Sequence, residues 1–462
     1  MGSAPTAPCP KPLLPLACAG ADSSAAQRPR GSAYPVQLYR RPGKATGTPE
    51  RQAMTSFTLP NGLEVFLLPS DSPFTAVVLG YRVGAAHEAP GTWGLAHLLE
   101  HLLFEDEHIG YDKRIQQIGG STNAYTGQDY TVYYARVGRQ AARLPLQLEA
   151  QRLFDLKLTP QKVAIQQQVV AEEFRQRYLN PPYADRFFSL LKAAFPDHPY
   201  AQMVIGESPE SLLQLPYSAL EEFYQAYYAP RHAVLCVAGG GIDEGLSAFI
   251  QETFMRDKPG KPLPPVPPVE GLPLQPLLQI EKDVPATLVT WAFRVPPLED
   301  PATPAIDLLD DFLGDARSGL LPQTLVRTQR LASQVQSYVW SFYQGGLWII
   351  EGYLTPGTSI DAYEAALRET LDKLLTMPLE GVLDRYRPQK YLTLHKQREK
   401  ALDKALALVH AVLAGHLEWY LDPLRPYEEL TPAALRETAS KYLQPDRLVR
   451  LHYIARKRGA TG

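Results

Sequence analysis

A proline-rich stretch in the second half of the chain is the sequence feature that most constrains its architecture. Eight prolines lie between residues 258 and 276 of the 462-residue chain. Because proline fixes φ and lacks a backbone N–H, such a segment holds neither a helix nor an inner strand and acts as a semi-rigid spacer. We therefore predict a linker over residues 258–276 between two folded halves, residues 54–257 and 277–456. Residues 1–53, rich in Ala, Pro, Ser and Gly, are predicted to form a flexible tail.

Both halves show the same order of secondary-structure patterns. Strand-like runs come first, at residues 63–68 and 75–83 in one half and at residues 286–295 in the other. Helical stretches, a later strand pair and a closing helical region follow in each half. The chain is therefore predicted to have an α+β fold.

The composition excludes several classes of protein. Hydrophobic residues make up 45% of the chain and charged residues 21%, as is typical of soluble globular proteins. The net charge of −3 provides no basic surface, so no nucleic-acid partner is expected. No apolar run reaches the roughly 18 residues of a membrane-spanning helix, so no transmembrane segment is expected. Three cysteines are too few for a disulfide framework.

The N-terminal segment gives a weak signal for export. Residues 13–18, Leu-Leu-Pro-Leu-Ala-Cys, resemble the end of a bacterial lipoprotein signal, although the basic and apolar residues that precede such a site are missing. We expect an exported or periplasmic protein in preference to a cytoplasmic one, with Cys18 as the candidate site of a lipid anchor.

The segment His97-Leu-Leu-Glu-His101 carries a metal-binding pattern. Two histidines four residues apart on a helix lie on one face, one turn apart, so both imidazoles can bind the same ion. Glu100 borders that face. The order H-x-x-E-H is the inverzincin signature of zinc peptidases. A catalytic zinc site needs a third protein ligand and leaves a fourth position for water.

The run from Gln161 to Tyr178 is predicted to form the helix that supplies the third ligand. It has few helix breakers. Its candidate buried stripe consists of Val163, Val169, Val170 and Phe174. The adjacent residues Glu172 and Glu173 lie about 100° apart on a helix, so only one of them can face a metal ion.

Together with the segments around it, this motif resembles the M16 family of zinc peptidases, which includes insulin-degrading enzymes and the mitochondrial processing peptidase. The segments that carry the resemblance are Gly94–Phe104, Gly119–Thr126, Asp129–Tyr134, Val169–Arg175 and Asn180–Tyr183. The resemblance extends from about Phe57 to about Ile454. It implies two tandem homologous α/β-roll domains, each with an antiparallel-rich sheet and helices packed on one side. The two domains together would form half of a clamshell.

The resemblance also implies roles for individual residues. It implies one Zn²⁺ per chain, bound by His97, His101 and Glu173, because the family's ligand is the second Glu of the pair. Glu100 would be the general base in the hydrolysis of peptide bonds. Glu172 would be solvated or hydrogen-bonded elsewhere.

The strand that follows the Gly-Gly pair at residues 119–120 is expected to bind substrate. Asn123 and Ala124 match the family motif in which an extended peptide adds to a sheet edge through backbone hydrogen bonds. Backbone-dominated binding implies a loose sequence preference and a substrate segment that can unfold. One departure lies near the metal ligands: relatives often have Glu one heptad before the ligand, where this chain has Gln166.

The second half departs further from the pattern of active relatives. Those relatives carry there an Arg and, seven residues later, a Tyr that reach the zinc site of the opposing half. Alignment places Val326 and Ser333 at these positions, although Arg327 and Arg330 lie close by. The histidines of this half are dispersed, so no metal constellation is expected there. We therefore expect a heterodimer in which this chain is the catalytic subunit and a homologous M16-like subunit without the zinc motif is its partner.

Two other functions are compatible with the same fold. A non-catalytic assembly or scaffold protein of the M16 fold would not need His97, Glu100, His101 and Glu173 together. A zinc hydrolase that acts on compounds other than peptides would not need the peptide-binding strand. Zinc content distinguishes the scaffold from an enzyme, and a panel of peptides distinguishes the two enzymes.

Overall fold

The computed structural model describes residues 37–38, 54–105, 109–271, 273 and 277–456. Apart from residues 37–38, the predicted tail lies outside the described residues, and so does the candidate lipid-anchor site at Cys18. Among the described residues, none of the helices combines the length and apolar character that a membrane crossing requires.

In the described part of the first half, seven strands form one mixed sheet. They are β1 (Gln37–Leu38), β2 (Thr55–Thr58), β3 (Glu64–Pro69), β4 (Phe74–Tyr81), β5 (Ser121–Thr126), β6 (Thr131–Gly138) and β7 (Ala233–Gly239). Their order in the sheet is β1-β2-β3-β7-β4-β6-β5. Strands β3 and β7 are parallel, and the other neighbours are antiparallel.

A second sheet of five strands lies in the described part of the second half. The strands are β8 (Leu277–Lys282), β9 (Leu288–Val295), β10 (Ala332–Phe342), β11 (Gly345–Leu354) and β12 (Leu448–Ala455). Their order is β10-β11-β9-β12-β8, and β8 and β12 form the one parallel pair within it. Strands β3 to β7 of the first sheet therefore correspond in order and direction to β8 to β12. This repeat confirms the predicted pair of tandem α/β domains, and the predicted domain boundaries stay predictions.

Helices lie after β4 and β6 in the first half and after the corresponding strands β9 and β11 in the second. The helices of the first half are α1 (Leu95–Phe104), α2 (Tyr111–Gln117), α3 (Arg143–Phe154), α4 (Pro160–Phe174), α5 (Arg186–Ala194), α6 (Pro209–Leu213), α7 (Tyr217–Tyr227) and α8 (Leu246–Phe254). Those of the second half are α9 (Thr303–Gly314), α10 (Ile360–Thr376), α11 (Glu380–Lys396), α12 (Ala401–Leu413), α13 (Glu418–Leu421), α14 (Arg425–Glu428) and α15 (Pro432–Tyr442). The described residues also contain two π-helical segments, Arg175–Leu179 and Pro322–Thr328, and several single-turn 3-10 helices.

The central strands of the first sheet are apolar on both faces. In β4, consecutive residues from Ala76 to Leu79 are fully buried. Val77 and Leu79 pack in the same core as α1, whereas Ala76 and Val78 pack on the opposite face. Because successive side chains of a strand point to opposite faces, such a run requires a cover on each side of the sheet.

The cover on the second face comes from the other half of the chain. Helix α12 packs Val409 and Leu413 against that face of the first sheet. Gly80 allows this close approach, because a Cβ there would lie 2.6 Å from Val409 Cγ1. In return, helix α5 of the first half packs Leu190 and Leu191 against the second sheet. Each half therefore supplies a helix to the other, and the two halves form a single packed unit.

Polar contacts reinforce this exchange. Arg186 Nε and Nη2 lie 2.6 and 3.0 Å from the carboxylate oxygens of the fully buried Glu351. The described part of the proline-rich segment, residues 258–271 and 273, contains neither helix nor strand. The carbonyls of Lys261 and Pro267 hydrogen-bond the rings of His232 and His198 at 2.7 and 2.8 Å, so the linker lies along the body of the protein.

Candidate metal centre

Helix α1 is fixed at its N-terminus by a buried carboxylate. Glu88 is 5% exposed, and its two oxygens accept hydrogen bonds from the backbone N–H groups of Gly94 and Ala96, both at 2.7 Å. Burial raises the pKa of Glu88 to about 8, while these two hydrogen bonds act in the opposite direction. Its oxygens satisfy N–H groups that have no acceptor within the first turn of the helix. Glu88 therefore holds the first turn of the helix that carries His97.

Three side chains from two helices converge beside α1. Helix α1 buries Leu98, Leu99 and Leu102, which leaves its two histidines on the other side. Glu173, the penultimate residue of α4, places Oε2 at 3.2 Å from His101 Nε2 and 4.0 Å from His97 Nε2. Among the described residues, this is the one group of three or more His, Cys, Asp or Glu side chains whose potential ligand atoms all lie within 4.8 Å of one another.

The geometry and chemistry of this group fit a zinc ion. With metal–ligand distances near 2.1 Å, tetrahedral ligand atoms lie ~3.4 Å apart, so small movements would bring the three atoms to that spacing. Burial lowers the pKa of His97 to about 4, which keeps its imidazole neutral, as a metal ligand must be. His97 Nδ1 is buried without a hydrogen-bond partner in the described part of the chain, so Nε2 is the nitrogen that faces Glu173.

The other two members of the group are electrostatically coupled. Burial lowers the pKa of His101, but its hydrogen bond and charge interaction with Glu173 outweigh burial, and the net shift is upward. Burial raises the pKa of Glu173, but His101, His97 and Arg177 outweigh it, and the net shift is downward. A carboxylate held ionised beside two imidazoles, each of them partly exposed, is a suitable donor set for a divalent cation.

Two further side chains bind members of this group and help to hold them in place. Gln166 is 7% exposed and hydrogen-bonds His101. Arg177, in the π-helical turn after α4, places Nη1 at 2.7 Å from the second oxygen of Glu173. Glu172 points away: its side chain is 55% exposed and accepts from Gln176 at 3.0 Å.

The predicted buried stripe of α4 was wrong at one position. Val163, Val170 and Phe174 are buried, but Val169 is 44% exposed. Val169 precedes Val170 by one residue, which turns it about 100° away from the buried face.

Glu100 lies between the metal group and the edge of the first sheet. Its Oε2 accepts a hydrogen bond from Thr126 Oγ1 at 2.5 Å. Thr126 is the last residue of β5, which is the edge strand and pairs with β6 alone in the described sheet. Burial raises the pKa of Glu100, and the hydrogen bond from Thr126 opposes this effect. Sequence reasoning missed Thr126, although it lies two residues after Ala124 and therefore on the same face of the strand.

The two residues predicted to bind substrate lie on this edge strand. Asn123 is exposed, and its Oδ1 accepts from the N–H of Ala124 at 2.9 Å. Ala124 is 9% exposed and packs in the same core as α1. The free edge of β5 therefore runs beside the helix that carries His97, Glu100 and His101.

The second half places no arginine or tyrosine at the two aligned positions. Val326 packs against the core, and Ser333 Oγ donates to the Tyr353 carbonyl at 3.2 Å. The nearby Arg327 donates to the backbone carbonyls of Ala316 and Arg317 in its own half.

Family models match most of the described chain. The model described as insulinase (peptidase family M16) matches residues 65–208, and the model described as peptidase M16 inactive domain matches residues 214–389. The first range contains the metal group, and the second lies mostly in the half without one.

Known proteins with similar sequences are named zinc proteases. The chain is 26% identical over 402 residues to the zinc protease PqqE of Helicobacter pylori, covering 84% of this chain and 90% of that protein. It is 30% identical over 339 residues to an uncharacterized zinc protease of Mycobacterium leprae, covering 69% of this chain and 74% of that protein. The crystal structure of a protease from Helicobacter pylori has the same fold, with a TM-score of 0.80 at 24% identity, over 87% of this chain and 99% of that one.

Proposed function

The chain belongs to the M16 peptidase family, and on that premise we propose that it is a zinc-dependent endopeptidase that hydrolyses extended or unfolded peptides. The observation that carries the proposal is the convergence of His97, His101 and Glu173, with Glu100 held beside them by Thr126. A scaffold protein has no use for this combination, because two histidines and a carboxylate at one point give it no packing advantage.

The proposed chemistry divides between the ion and the chain. A zinc ion held by His97, His101 and Glu173 would lower the pKa of a water molecule and polarise the scissile carbonyl. Glu100 accepts the proton of the attacking water and passes it to the leaving amine. Burial and the hydrogen bond from Thr126 have opposite effects on the pKa of Glu100, which suits a group that both takes up and releases a proton.

The edge strand β5 supports a peptide substrate in particular. Its outer N–H and C=O groups have no strand beside them in the described sheet, and an extended peptide can pair with them. Thr126 at the end of this strand contacts Glu100, so a peptide paired along β5 would have its backbone close to the general base. Recognition through the backbone predicts a broad sequence preference.

We further propose that the active form is a heterodimer. The second half carries Val326 and Ser333 where active relatives carry an Arg and a Tyr, and Arg327 is engaged with carbonyls of its own half. A homologous subunit without the zinc motif would supply those two side chains, which stabilise the developing oxyanion. Groups of this kind contribute about 3–4 kcal/mol to transition-state stabilisation.

Cleavage of a quenched, extended peptide by the purified, zinc-loaded chain tests these proposals. In whichever preparation turns over, the chain alone or its complex with the partner subunit, the Glu100→Gln variant should bind zinc as the wild type does and lose turnover. Glu172→Gln, with its exposed carboxylate, serves as the matched control. A wild-type chain that binds no zinc, or Glu100→Gln turnover equal to that of the wild type, would contradict the proposed function. Glu100-dependent turnover by the chain alone would contradict the need for a partner, and bound zinc without turnover would support it.

A further inference from the structure

The repeat between the two halves extends to the residues of the metal centre. Helices α1 and α9 follow equivalent strands, β4 and β9, and precede equivalent edge hairpins. Ala96-His-Leu-Leu-Glu-His-Leu-Leu103 in α1 matches Ile306-Asp-Leu-Leu-Asp-Asp-Phe-Leu313 in α9. The paired leucines of both segments are fully buried. With the helices in this register, Asp307, Asp310 and Asp311 take the positions of His97, Glu100 and His101.

The helix that completes the metal group also has a counterpart. Helices α4 and α11 are each the second long helix after the edge hairpin, and each packs against the helix that carries the three polar residues. Where α4 supplies Glu173, α11 supplies Lys390. The Lys390 ammonium lies 2.7 Å from Asp307 Oδ2 and 2.6 Å from Asp311 Oδ2, the two acids at the histidine positions.

A third correspondence involves the edge strands. In the first half, Thr126 on β5 donates to Glu100. In the second half, Ser337 on β10 donates to Asp310 Oδ1 at 2.5 Å. Glu100 and Asp310, which hold the same position in the two motifs, therefore each accept a hydrogen bond from a hydroxyl on the edge strand of their own sheet.

The charges in the two centres are arranged in opposite ways. In the first half, two imidazoles and one carboxylate surround a point that suits a cation. In the second half, two carboxylates flank a cation that belongs to the chain, and Lys390 is only 8% exposed. Tyr427 also donates to Asp307 Oδ2, at 2.5 Å, so Asp307 is held by both Lys390 and Tyr427.

We propose that Asp307, Asp311 and Lys390 form the counterpart of the metal centre, in which the lysine ammonium takes the place of the metal ion. Removal of the ammonium would leave two carboxylates preorganised for a divalent cation. Oxygen ligands favour Mn²⁺, Mg²⁺ or Ca²⁺, whereas histidine at position 390 would add a nitrogen ligand suited to Zn²⁺. The comparison with the first half rests on the proposed function, since it takes His97, His101 and Glu173 as metal ligands.

The test measures how many metal ions bind to a chain whose candidate zinc ligands in the first half have been replaced. In a His97→Ala/His101→Ala parent, the variants Lys390→Ala and Lys390→His are dialysed against Mn²⁺ and Zn²⁺, and bound metal and the thermal unfolding midpoint are measured. We expect bound metal to rise from none to one ion per chain and the midpoint to rise with cation concentration. Lys373→Ala, which removes an exposed lysine, should bind none, and adding Asp307→Asn to Lys390→Ala should abolish the gain.

Lys390→Ala leaves the buried Asp307 and the partly exposed Asp311 without a counter-ion, which destabilises a protein, so this variant is also refolded with and without Mn²⁺. Folding that depends on Mn²⁺ supports the proposal. Failure of both position-390 variants to bind or be stabilised by either cation overturns it. The wild-type chain, measured alongside, reports separately on the first centre, because absence of zinc there would contradict the proposed function and leave the result at position 390 unaffected.

Discussion

Thr126 at the end of the edge strand β5 donates a 2.5 Å hydrogen bond to Glu100 on helix α1. This bond joins the strand proposed to bind the peptide to the carboxylate proposed to move the proton. It holds Oε2 of Glu100 in place and thereby fixes the orientation of the whole carboxylate. The edge of the sheet and the helix that carries the candidate metal ligands are therefore in direct contact.

Replacement of Thr126 by Val should reduce catalysis and leave metal binding intact. The variant keeps the shape of the side chain but removes the donor to Glu100. We expect kcat/KM to fall about tenfold, equivalent to about 1.4 kcal/mol, which is typical of a hydrogen bond to a charged group. Peptide cleavage and zinc content are measured together. The control is Thr122→Val, on the same strand as Thr126, which removes a hydroxyl that donates to Asp112 on α2. An equal loss in both variants would count against a specific role for Thr126.

Exchange of Glu173 for Gln should weaken zinc binding far more than exchange of its neighbour. Glu173 lies 3.2 Å from His101 Nε2, whereas the exposed Glu172 bonds Gln176. Residues that hydrogen-bond a metal ligand contribute about 10–100-fold to metal affinity. Loss of a direct ligand should therefore weaken zinc binding at least about 100-fold. Competition with a chelator measures the zinc dissociation constant of each variant. Equal affinities for Glu173→Gln and Glu172→Gln would remove Glu173 from the ligand set.

Replacement of Glu88 by Ala should destabilise the start of helix α1. The change leaves the N–H groups of Gly94 and Ala96 without their acceptor in a buried position. We expect the free energy of unfolding to fall by about 1–3 kcal/mol, with weaker zinc binding because His97 lies in the same turn. Denaturant titration checks the first effect. Glu105→Ala, at the exposed other end of the helix, should change stability by less than about 0.5 kcal/mol.

A buried carboxylate between the two halves predicts a pH dependence of stability. Asp129 is 5% exposed and accepts from Tyr200 Oη at 2.6 Å and from the Tyr343 N–H at 3.0 Å. Burial raises the pKa of Asp129 to about 6 from an ordinary value of 3.8. Between these values the folded chain holds a proton that the unfolded chain has lost, so stability falls as pH rises through this window.

Comparison of the wild type with Asp129→Asn isolates this effect. The stability of the wild type should fall relative to that of the variant by about 2 kcal/mol from pH ~4 to pH ~6, since the full change of about 3 kcal/mol, at ~1.36 kcal/mol per pKa unit, develops over a wider pH range. Denaturant titrations at several pH values provide the two curves. Parallel curves across this window would show that Asp129 titrates normally.

Removal of the Arg186 side chain should destabilise both halves together. Its partner Glu351 is fully buried, so Arg186→Ala leaves a carboxylate in the interior without its counter-charge. Such changes cost about 3–5 kcal/mol, and because α5 and α12 are exchanged between the halves, unfolding should remain a single transition. Arg143→Ala, which removes an exposed pair with Asp243, should cost about 1 kcal/mol or less. Two separated transitions in the wild type would contradict the packing of the halves as one unit.

Much of the local structure could be predicted from the sequence because it depends on residues that are close together along the chain. The four-residue spacing of His97 and His101 places them on one face of any α-helix. In the structure, that face lies beside Glu173. The proline-rich segment predicted the division into two halves, and the resemblance to the M16 family predicted the tandem sheets. Val169 shows where helical periodicity fails as a guide to burial. The helix buries the face that carries Val170, so its neighbour Val169 is exposed although it is apolar.

The sequence by itself determined that two helical histidines could share an ion, that the chain divides into two halves, and that a strand rich in Thr and Tyr follows the motif. Only the tertiary structure decided that Thr126 contacts Glu100, that α5 and α12 are exchanged between the halves, and that Lys390 lies between Asp307 and Asp311. The physical reason is the distance along the chain over which each effect acts. Helix and strand periodicity act over a few residues, whereas these contacts join residues far apart in the chain and depend on how complete sheets and helices pack.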